Sequence, residues 1–448
     1  MSEETIASIA TAPGGAIGVI RISGSEALKI AQKVWSSNRQ NGSIEPRKMY
    51  LGDCCDEDSS IEQALLVYMP GPNSYTGEDV VELQCHGGAF SSRRLLAAVL
   101  KNGARHAEAG EFTRRAFING KMDLTQAEAV IDIIQAHSEM ALHVANRQLD
   151  GSIGRKANAL YDLAEHLLSE IEVRMDFVEE DLDFESGRDL SNRLKGLLED
   201  IQKLKESKNE GEVLRHGIKV VLGGAPNAGK SSMMNLFLGR DRAIVTEIPG
   251  TTRDVLEEFA HVRGIPVRLF DTAGIREAED KVEKIGVDRS RSYLQEAQII
   301  LWMVDSTNPE SLNELPKELL EREELIVVAN KCDDESSQPL NLPETVKTVK
   351  TSAITGEGFE QLLDGIESLV WKYPHSEDVD VAVNSRHAEL LEKAEAELKE
   401  VFFAIEMEEW EIVAVALRGV LHNIGSITGK AVSPDILDNI FSRFCIGK

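Results

Sequence analysis

At 448 residues the chain is too long to fold around one hydrophobic core, and about two to four domains are expected. No stretch reaches the apolar length of a membrane span, and the acidic start Met1-Ser2-Glu3-Glu4-Thr5 lacks the basic-then-apolar layout of a signal peptide, so a cytoplasmic protein with no membrane partner is expected. The formal net charge of −27 opposes phosphate neutralisation, the main source of nucleic-acid affinity, so a nucleic-acid partner would need a local basic surface or a second, basic protein.

Residues 1–118 read as an α+β domain and escape most of that charge: 12 Lys and Arg stand against 14 Asp and Glu, a net of −2. Short strand-like runs at 5–10 and 17–22 flank the turn Pro13-Gly14-Gly15, and 25–35 has helical spacing. An apolar run at 64–69 closes on Pro70-Gly71-Pro72-Asn73, residues 80–85 alternate like a half-buried strand, and 90–101 reads as an amphipathic helix. Helical spacing takes over from about residue 125 to 210, broken mainly at Gly151-Ser152-Ile153-Gly154. One apolar face runs through Ala127, Val130, Ile131, Ile134, His137 and Leu142, another through Leu160, Leu163, Leu167, Ile171 and Met175, as in a helical bundle. The carboxylate-rich run 176–185 reads as a solvated acidic turn.

Residues 214–374 alternate strand and helix: strands at 218–222, 255–262, 267–270, 299–304, 325–329 and 346–351, and helices after the first strand, from Lys281, at 317–322 and from Gly358. That pattern predicts an α/β domain with a mainly parallel sheet, ligands binding at the carboxyl ends of its strands. After Tyr373-Pro374, helical runs at 385–403, 411–421 and 434–444 match 125–210 in composition. The expected organisation is therefore an N-terminal domain (1–118), a helical domain in two parts (119–213 and 375–448), and a nucleotide domain (214–374) inserted between them.

The chemistry begins at Gly224-x-x-x-x-Gly229-Lys230-Ser231, in strand–loop–helix context, the setting of a phosphate-binding loop. Backbone N–H groups of Asn227, Ala228, Gly229, Lys230, Ser231 and Ser232 would cradle phosphate, with Lys230 on the β- and γ-phosphates and the Ser231 hydroxyl on Mg²⁺. Further elements follow in guanine-nucleotide order. A first switch, Thr246-Glu247-Ile248-Pro249-Gly250-Thr251-Thr252, offers the Thr252 hydroxyl to Mg²⁺. Asp271-Thr272-Ala273-Gly274 ends a strand; its carboxylate would hold Mg²⁺ through water and its glycine N–H would meet the γ-phosphate. In Asn330-Lys331-Cys332-Asp333 the Asp333 carboxylate can accept from guanine N1–H and the 2-amino group, donors that adenine lacks in that arrangement. Ser352-Ala353 would close the base pocket with backbone N–H directed at O6. The ordered set predicts a GTPase. Where Ras-type GTPases carry a water-orienting glutamine stands Ile275, so that group must come from elsewhere. Glu283 is the nearest candidate, with Arg253 and Arg276 as charge donors. The five cysteines, Cys54, Cys55, Cys85, Cys332 and Cys445, show no C-x-x-C spacing and fit reduced thiols; near the chain end, Cys445 is either an incidental residue or a thiol nucleophile.

Beyond these motifs the chain carries Gly71-Pro72-Asn73-Ser74-Tyr75-Thr76-Gly77-Glu78-Asp79, Glu82-Leu83-Gln84-Cys85-His86-Gly87-Gly88, Gly110-Glu111-Phe112-Thr113, Lys121-Met122-Asp123-Leu124-Thr125-Gln126 and the terminal Phe444-Cys445-Ile446-Gly447-Lys448. Together with the nucleotide motifs they resemble, over essentially the whole length, the bacterial tRNA-modification GTPase family MnmE (TrmE). The resemblance implies an N-terminal folate-binding and dimerisation domain, a discontinuous helical domain and an inserted Ras-like G domain. It further implies a homodimer acting with a FAD-dependent partner, MnmG, on carbon 5 of the wobble uridine of certain tRNAs, with a tetrahydrofolate derivative (5-formyl or 5,10-methylene) giving the one-carbon unit. By motif position Arg21, Glu82, Lys121 and Lys448 would contact folate, and Cys445 would be the functional thiol. Asn227, Thr246, Ile248 and Thr251 fall at potassium-binding positions, the ion replacing an arginine finger as G domains dimerise, and Glu283 falls on the catalytic glutamate. Cys85 replaces a common glycine and is a second candidate thiol near the folate pocket. Two readings stay open beside this one: a ribosome-assembly-type regulatory GTPase, for which no basic appended module is visible, and a nucleotide-dependent scaffold without tRNA chemistry.

Overall fold

The computed structural model describes residues 4–12, 14–37, 43–56, 59–136, 138–176, 187–240, 257–271, 293–370 and 382–448. They divide into two compact units, one of Met1–Ile131, Gln148–Ile201 and Glu389–Lys448, the other of Asp132–Arg147 and Gln202–Ala388.

In the first unit the strands β1 (Ile6–Ile9), β2 (Ile17–Ser23), β3 (Trp35–Ser36), β4 (Met49–Asp56), β5 (Ser59–Met69), β6 (Val80–His86) and β7 (Arg105–His106) form one sheet in the order β3-β4-β5-β6-β2-β1-β7. All neighbours are antiparallel except β1 and β7. Side chains alternate between faces with period two. Ile20 and Ile22 of β2 and Val81, Leu83 and Cys85 of β6 therefore turn to the core shared with helices α1 (Ala27–Val34) and α2 (Ala89–Lys101). The same alternation sends Arg21 and its cross-strand partner Glu82 to the opposite face. Near them packs a small cluster of Ile6, Ala107 and Phe112, the last from helix α3 (Glu111–Ile118), with Tyr75 against it.

Helices α4 (Leu124–Ile134), α5 (Glu139–Leu149), α6 (Ser152–Asp176), α7 (Gly187–Glu206) and α8 (Lys208–His216) follow. The break expected around residues 151–154 falls between α5 and α6. Leu160, Leu167 and Ile171 are buried, as the spacing requires. The face drawn through Ile134 and Leu142 is different: both are exposed, while Ala141, Val144 and Ala145 are buried. The chain leaves the helix after Ile134 and re-enters at Glu139, so the helical phase restarts and a periodicity carried across the gap points the wrong way. His137, on the same expected face, and 177–185 of the acidic run lie outside the described residues.

The second unit holds a six-stranded sheet of β8 (Ile218–Gly224), β9 (Glu257–Val262), β10 (Ile265–Asp271), β11 (Ile299–Asp305), β12 (Leu325–Asn330) and β13 (Lys347–Lys350), in the order β13-β12-β11-β8-β10-β9. Every pair is parallel except the β9–β10 hairpin. Helices α9 (Lys230–Arg240) and α10 (Phe359–Val370) add Phe237 and Phe359 to the core on one face, with rings edge-to-face at 4.9 Å. The other face buries Val221, Ile300, Trp302 and Val327. Strands covered on both faces read as near-continuous apolar runs, which is how β11 and β12 stand in the sequence. The helical run expected at 317–322 is a short 3-10 helix, Lys317–Glu321.

The chain closes with α11 (Ser385–Glu406), α12 (Trp410–Thr428) and α13 (Pro434–Phe441). In the first unit α12 runs antiparallel along α6: Gly425 lies beside Tyr161, Arg418 pairs with Glu172 at 2.7 Å, and the Arg174 guanidinium sits 5.1 Å from the Trp410 ring. Among the described residues, no helix is long and apolar enough to cross a membrane.

Candidate functional site

The phosphate-binding loop leaves the carboxyl end of β8, which lies between β10 and β11, and enters α9 at Lys230. Its backbone is left-handed at Asn227 (φ 63°) and at Gly229 (φ 98°). A Cβ on Gly229 would stand 2.1 Å from Asn330 Nδ2, so both conformation and space demand glycine there. Lys230 is buried and its Nζ donates to the carbonyl oxygens of Gly224 and Ala225 at 2.9 and 2.7 Å. The ammonium is thus curled beneath the loop, where phosphate oxygens could take over as acceptors. Ser231, Ser232 and the Asn227 side chain are exposed on the loop and the first turn of α9.

Asp271 ends β10, its backbone in register with Leu222 of β8, so that strand end lies beside the strand that feeds the loop. A serine hydroxyl and a carboxylate are hard oxygen donors of the kind Mg²⁺ takes. Thr246, Glu247, Ile248, Pro249, Gly250, Thr251, Thr252, Thr272, Ala273, Gly274 and Glu283 lie outside the described residues, as do Arg253, Ile275 and Arg276.

The guanine-recognition loop starts where β12 ends. Asn330 is 2% exposed; its Nδ2 donates to the Ala228 carbonyl at 2.8 Å, and its Oδ1 accepts the Ala353 N–H at 3.0 Å. One side chain therefore fastens the phosphate loop and the 352–353 turn to the strand end. The Ala353 N–H, expected to face guanine O6, is directed at Asn330, while Ser352 Oγ accepts from the N–H groups of Ile354 and Thr355 at 3.3 and 3.1 Å. Lys331 has a left-handed backbone (φ 66°) and its Nζ lies 2.5 Å from Asp305 Oδ2. Burial disfavours charge on Asp305, yet hydrogen bonds from Lys331 and Thr307 hold its carboxyl below the ordinary value. Asp333 is exposed at the loop tip. Burial, then the nearby Glu357 and Asp333 carboxylates, push the Cys332 thiol up.

A second constellation lies on the first unit's sheet, around Arg21. Its Nε is 3.0 Å from Glu82 Oε1, one terminal nitrogen reaches the Gly447 carbonyl at 3.5 Å, and the guanidinium stands 5.6 and 5.7 Å from the rings of Tyr75 and Phe112. The terminal segment arrives by a bridge between Ile446 and Ala109. Gly447 is left-handed (φ 101°), and a Cβ there would stand 2.3 Å from the Ile9 carbonyl oxygen. Next to this, Glu78 accepts from Arg115 at 2.9 Å and from Ser23 Oγ at 2.7 Å, and Glu111 takes Arg105 and Arg115 at 2.6 and 3.0 Å. Of the residues expected there, Arg21, Glu82 and the terminal backbone come together, with the Lys448 N–H donating to the Cys445 carbonyl at 3.3 Å. Lys121 Nζ instead reaches the Pro72 carbonyl at 2.9 Å, with its stem beside Gly77. Tyr75 and Phe112, which flank the guanidinium, lie within sequence motifs at 71–79 and 110–113 but carry no signal of their own.

The thiols divide by burial. Cys445 is exposed. Cys54 is buried, and desolvation pushes its pKa up to about 12. Cys85 is a correction: it sits in the apolar core between the sheet and its helices, its Sγ 3.8 Å from Ser92 Oγ, and burial raises its pKa. The reason is strand parity, because Cys85 shares the inward face of β6 with Leu83 while Glu82 faces the other way. It is no second reactive thiol.

Comparison with known proteins bears on both sites. A family model described as the MnmE helical domain matches residues 124–445, and one described as the GTP-binding protein TrmE N-terminus matches residues 5–121. The tRNA modification GTPase MnmE of Clostridioides difficile (strain 630) is 44% identical over 459 residues, spanning 100% of this chain and 99% of that protein. The chain belongs to the MnmE family of tRNA modification GTPases. The MnmE of Natranaerobius thermophilus is 40% identical over 462 residues, with 100% of both chains covered. Among solved structures, the G domain of the T. maritima FeoB iron transporter is similar over 34% of this chain and 98% of that one, at 28% identity and a TM-score of 0.27. Arg21 and Glu82 lie within the residues matched to the TrmE N-terminus, and the phosphate and guanine loops lie within the span matched to the helical-domain model.

Proposed function

We propose that the chain is the GTP-hydrolysing subunit of the system that modifies carbon 5 of the tRNA wobble uridine (U34). It acts in the cytoplasm as a homodimer, with a FAD-dependent partner of the MnmG type and a tetrahydrofolate derivative as one-carbon donor. The observation that carries this reading is the full-length identity to MnmE relatives joined to a phosphate loop and a guanine loop tied together by Asn330. Residues 1–118 serve as the folate-binding and dimerisation domain, 119–213 and 375–448 as the helical domain, and 214–374 as the inserted G domain.

Within the G domain, Lys230 and the backbone of residues 227–232 hold the phosphates, and Asp333 selects guanine. Ser231 and Thr252 hold Mg²⁺, whose charge offsets that of the β- and γ-phosphates. Ile275 cannot orient water, so Glu283 does. Asn227, with Thr246, Ile248 and Thr251, holds K⁺, which supplies the positive charge otherwise brought by an arginine finger. The exposed amide of Asn227 on the loop supports its part of that set.

In the N-terminal domain, Arg21 is the anchor for an anionic or carbonyl group of the folate. Glu82 and two aromatic faces hold its guanidinium in one orientation, and the docking of Ile446 and Gly447 beside it supports a part for the neighbouring Cys445 and Lys448. The test is nucleoside analysis of tRNA from a strain that depends on this chain and its flavoprotein partner. Loss of the C5-modified wobble uridine on deletion, restored by the wild type and not by Lys230→Ala, is the expected result. Unchanged wobble uridine in the deletion strain would remove the reading.

A further inference from the structure

We propose that Asp305 and Ser306, at the end of β11, form a clasp that positions the guanine-recognition loop by holding Lys331 and the Asn330 carbonyl. The proposal rests on the reading of Asp333 as the guanine selector.

The clasp follows from register. β11 and β12 are parallel and Asp305 pairs with Asn330 in register, so Ser306, just beyond β11, meets the Asn330 carbonyl, and Lys331, just beyond β12, meets Asp305. Ser306 is 1% exposed; its N–H and its Oγ–H both donate to the Asn330 carbonyl oxygen, at 3.0 and 2.6 Å. Asp305 Oδ2 takes the Lys331 ammonium at 2.5 Å, while Oδ1 takes the N–H and hydroxyl of Thr307 at 3.0 and 2.7 Å. The far side is closed by Ser337 Oγ donating to Ser306 Oγ at 3.0 Å and the Gln338 N–H donating to the Ser306 carbonyl at 2.8 Å.

What the clasp secures is an unfavourable backbone. Lys331 is left-handed without being glycine, a conformation that persists only where surrounding bonds over-determine it. Fixing the carbonyl before Lys331 and the ammonium at the end of its side chain does this. Asp333, two residues on, takes its direction from that turn. Asp305 and Ser306 are thus positioning residues, acting through the loop with no part of their own in touching the base.

The test is release of a fluorescent GDP analogue from the full chain, at a temperature well below unfolding, with a thermal melt of each variant. Asp305→Asn keeps the shape and the bonds from Thr307 but weakens the hold on Lys331. Its release should be roughly tenfold faster, the scale of one lost charge-assisted hydrogen bond. Lys331→Met should give a similar acceleration, and Asp305→Asn added to it should give no more. A lowered melting temperature with unchanged release would overturn the clasp, and so would equal acceleration by Asp305→Asn in the wild-type and Lys331→Met backgrounds. If Asp305→Asn does not fold, Ser306→Ala carries the test: faster release supports the clasp and unchanged release overturns it. Competition by GDP and ADP in Asp333→Asn checks the underlying reading separately. A guanine preference that survives there removes the selector, whatever the release rates of the clasp variants.

Discussion

Replacing Asn330 by alanine should uncouple the phosphate loop from the base loop. The side chain is buried and makes one hydrogen bond as donor, to the Ala228 carbonyl, and one as acceptor, from the Ala353 N–H. Ala228 is fully buried, so its carbonyl would be left without water or partner, at a cost of about 1–3 kcal/mol. Ala353 is only half-buried, and water can replace its lost acceptor, leaving about 1 kcal/mol. The sum is about 2–4 kcal/mol. Urea unfolding of the nucleotide-free protein, followed by circular dichroism, should show that loss in the transition that GDP shifts. GDP should also bind more weakly by about tenfold or more, since part of the bond energy now goes into ordering two separate loops. A loss below about 0.5 kcal/mol, the scatter of an ordinary surface change, together with unchanged GDP affinity, would refute the view that Asn330 ties the loops together.

Four further outcomes are expected. Glu283→Ala should slow GTP hydrolysis by about a hundredfold, the lower range for a positioned acid–base group, while GTP binding is spared; normal turnover would take Glu283 out of the site. Potassium should stimulate hydrolysis well beyond sodium, and Asn227→Ala should abolish the difference; equal rates in both salts in the wild type would end the argument from the ion. A 5-formyl-tetrahydrofolate ligand should raise the melting temperature of the first unit, and Arg21→Ala should erase the rise, so a persisting shift in that variant would place the ligand elsewhere. For the thiols, burial raises the pKa of Cys54 to about 12 and raises that of Cys85 as well, and both side chains are shielded from reagent. Iodoacetamide should alkylate Cys445 first, as read by peptide mass; early labelling of Cys54 or Cys85 would contradict their burial.

The elements legible from residue order are those whose cause is local. A phosphate loop announces itself because glycine and the left-handed backbone it allows are properties of a few consecutive residues, and Gly229 keeps that conformation in the fold. Strands β8, β11 and β12 were equally plain, since a sheet covered on both faces needs unbroken apolar runs. The α6 face could be read from Leu160 to Ile171 because no break intervenes. Less legible were β4, whose pattern is mostly half-exposed, and the eight-residue α3, too short for a periodic signal. Where the helix stopped after Ile134, periodicity lost its phase and placed Leu142 on the wrong side.

Which side chains meet is a different matter, since it depends on register between segments far apart in the chain. Arg21 and the Gly447 carbonyl are separated by 426 positions, and no spacing rule connects them. Asp305 and Lys331 are neighbours because two parallel strands end together. Parity on β6 decided that Glu82 would face Arg21 and that Cys85 would be inert in the core. Residue order thus established a guanine-nucleotide machine, through motifs whose glycines, lysine and carboxylates act within a few consecutive residues. Folding chose the partners of its working side chains, because a hydrogen bond or a buried thiol is set by what the sheet brings alongside.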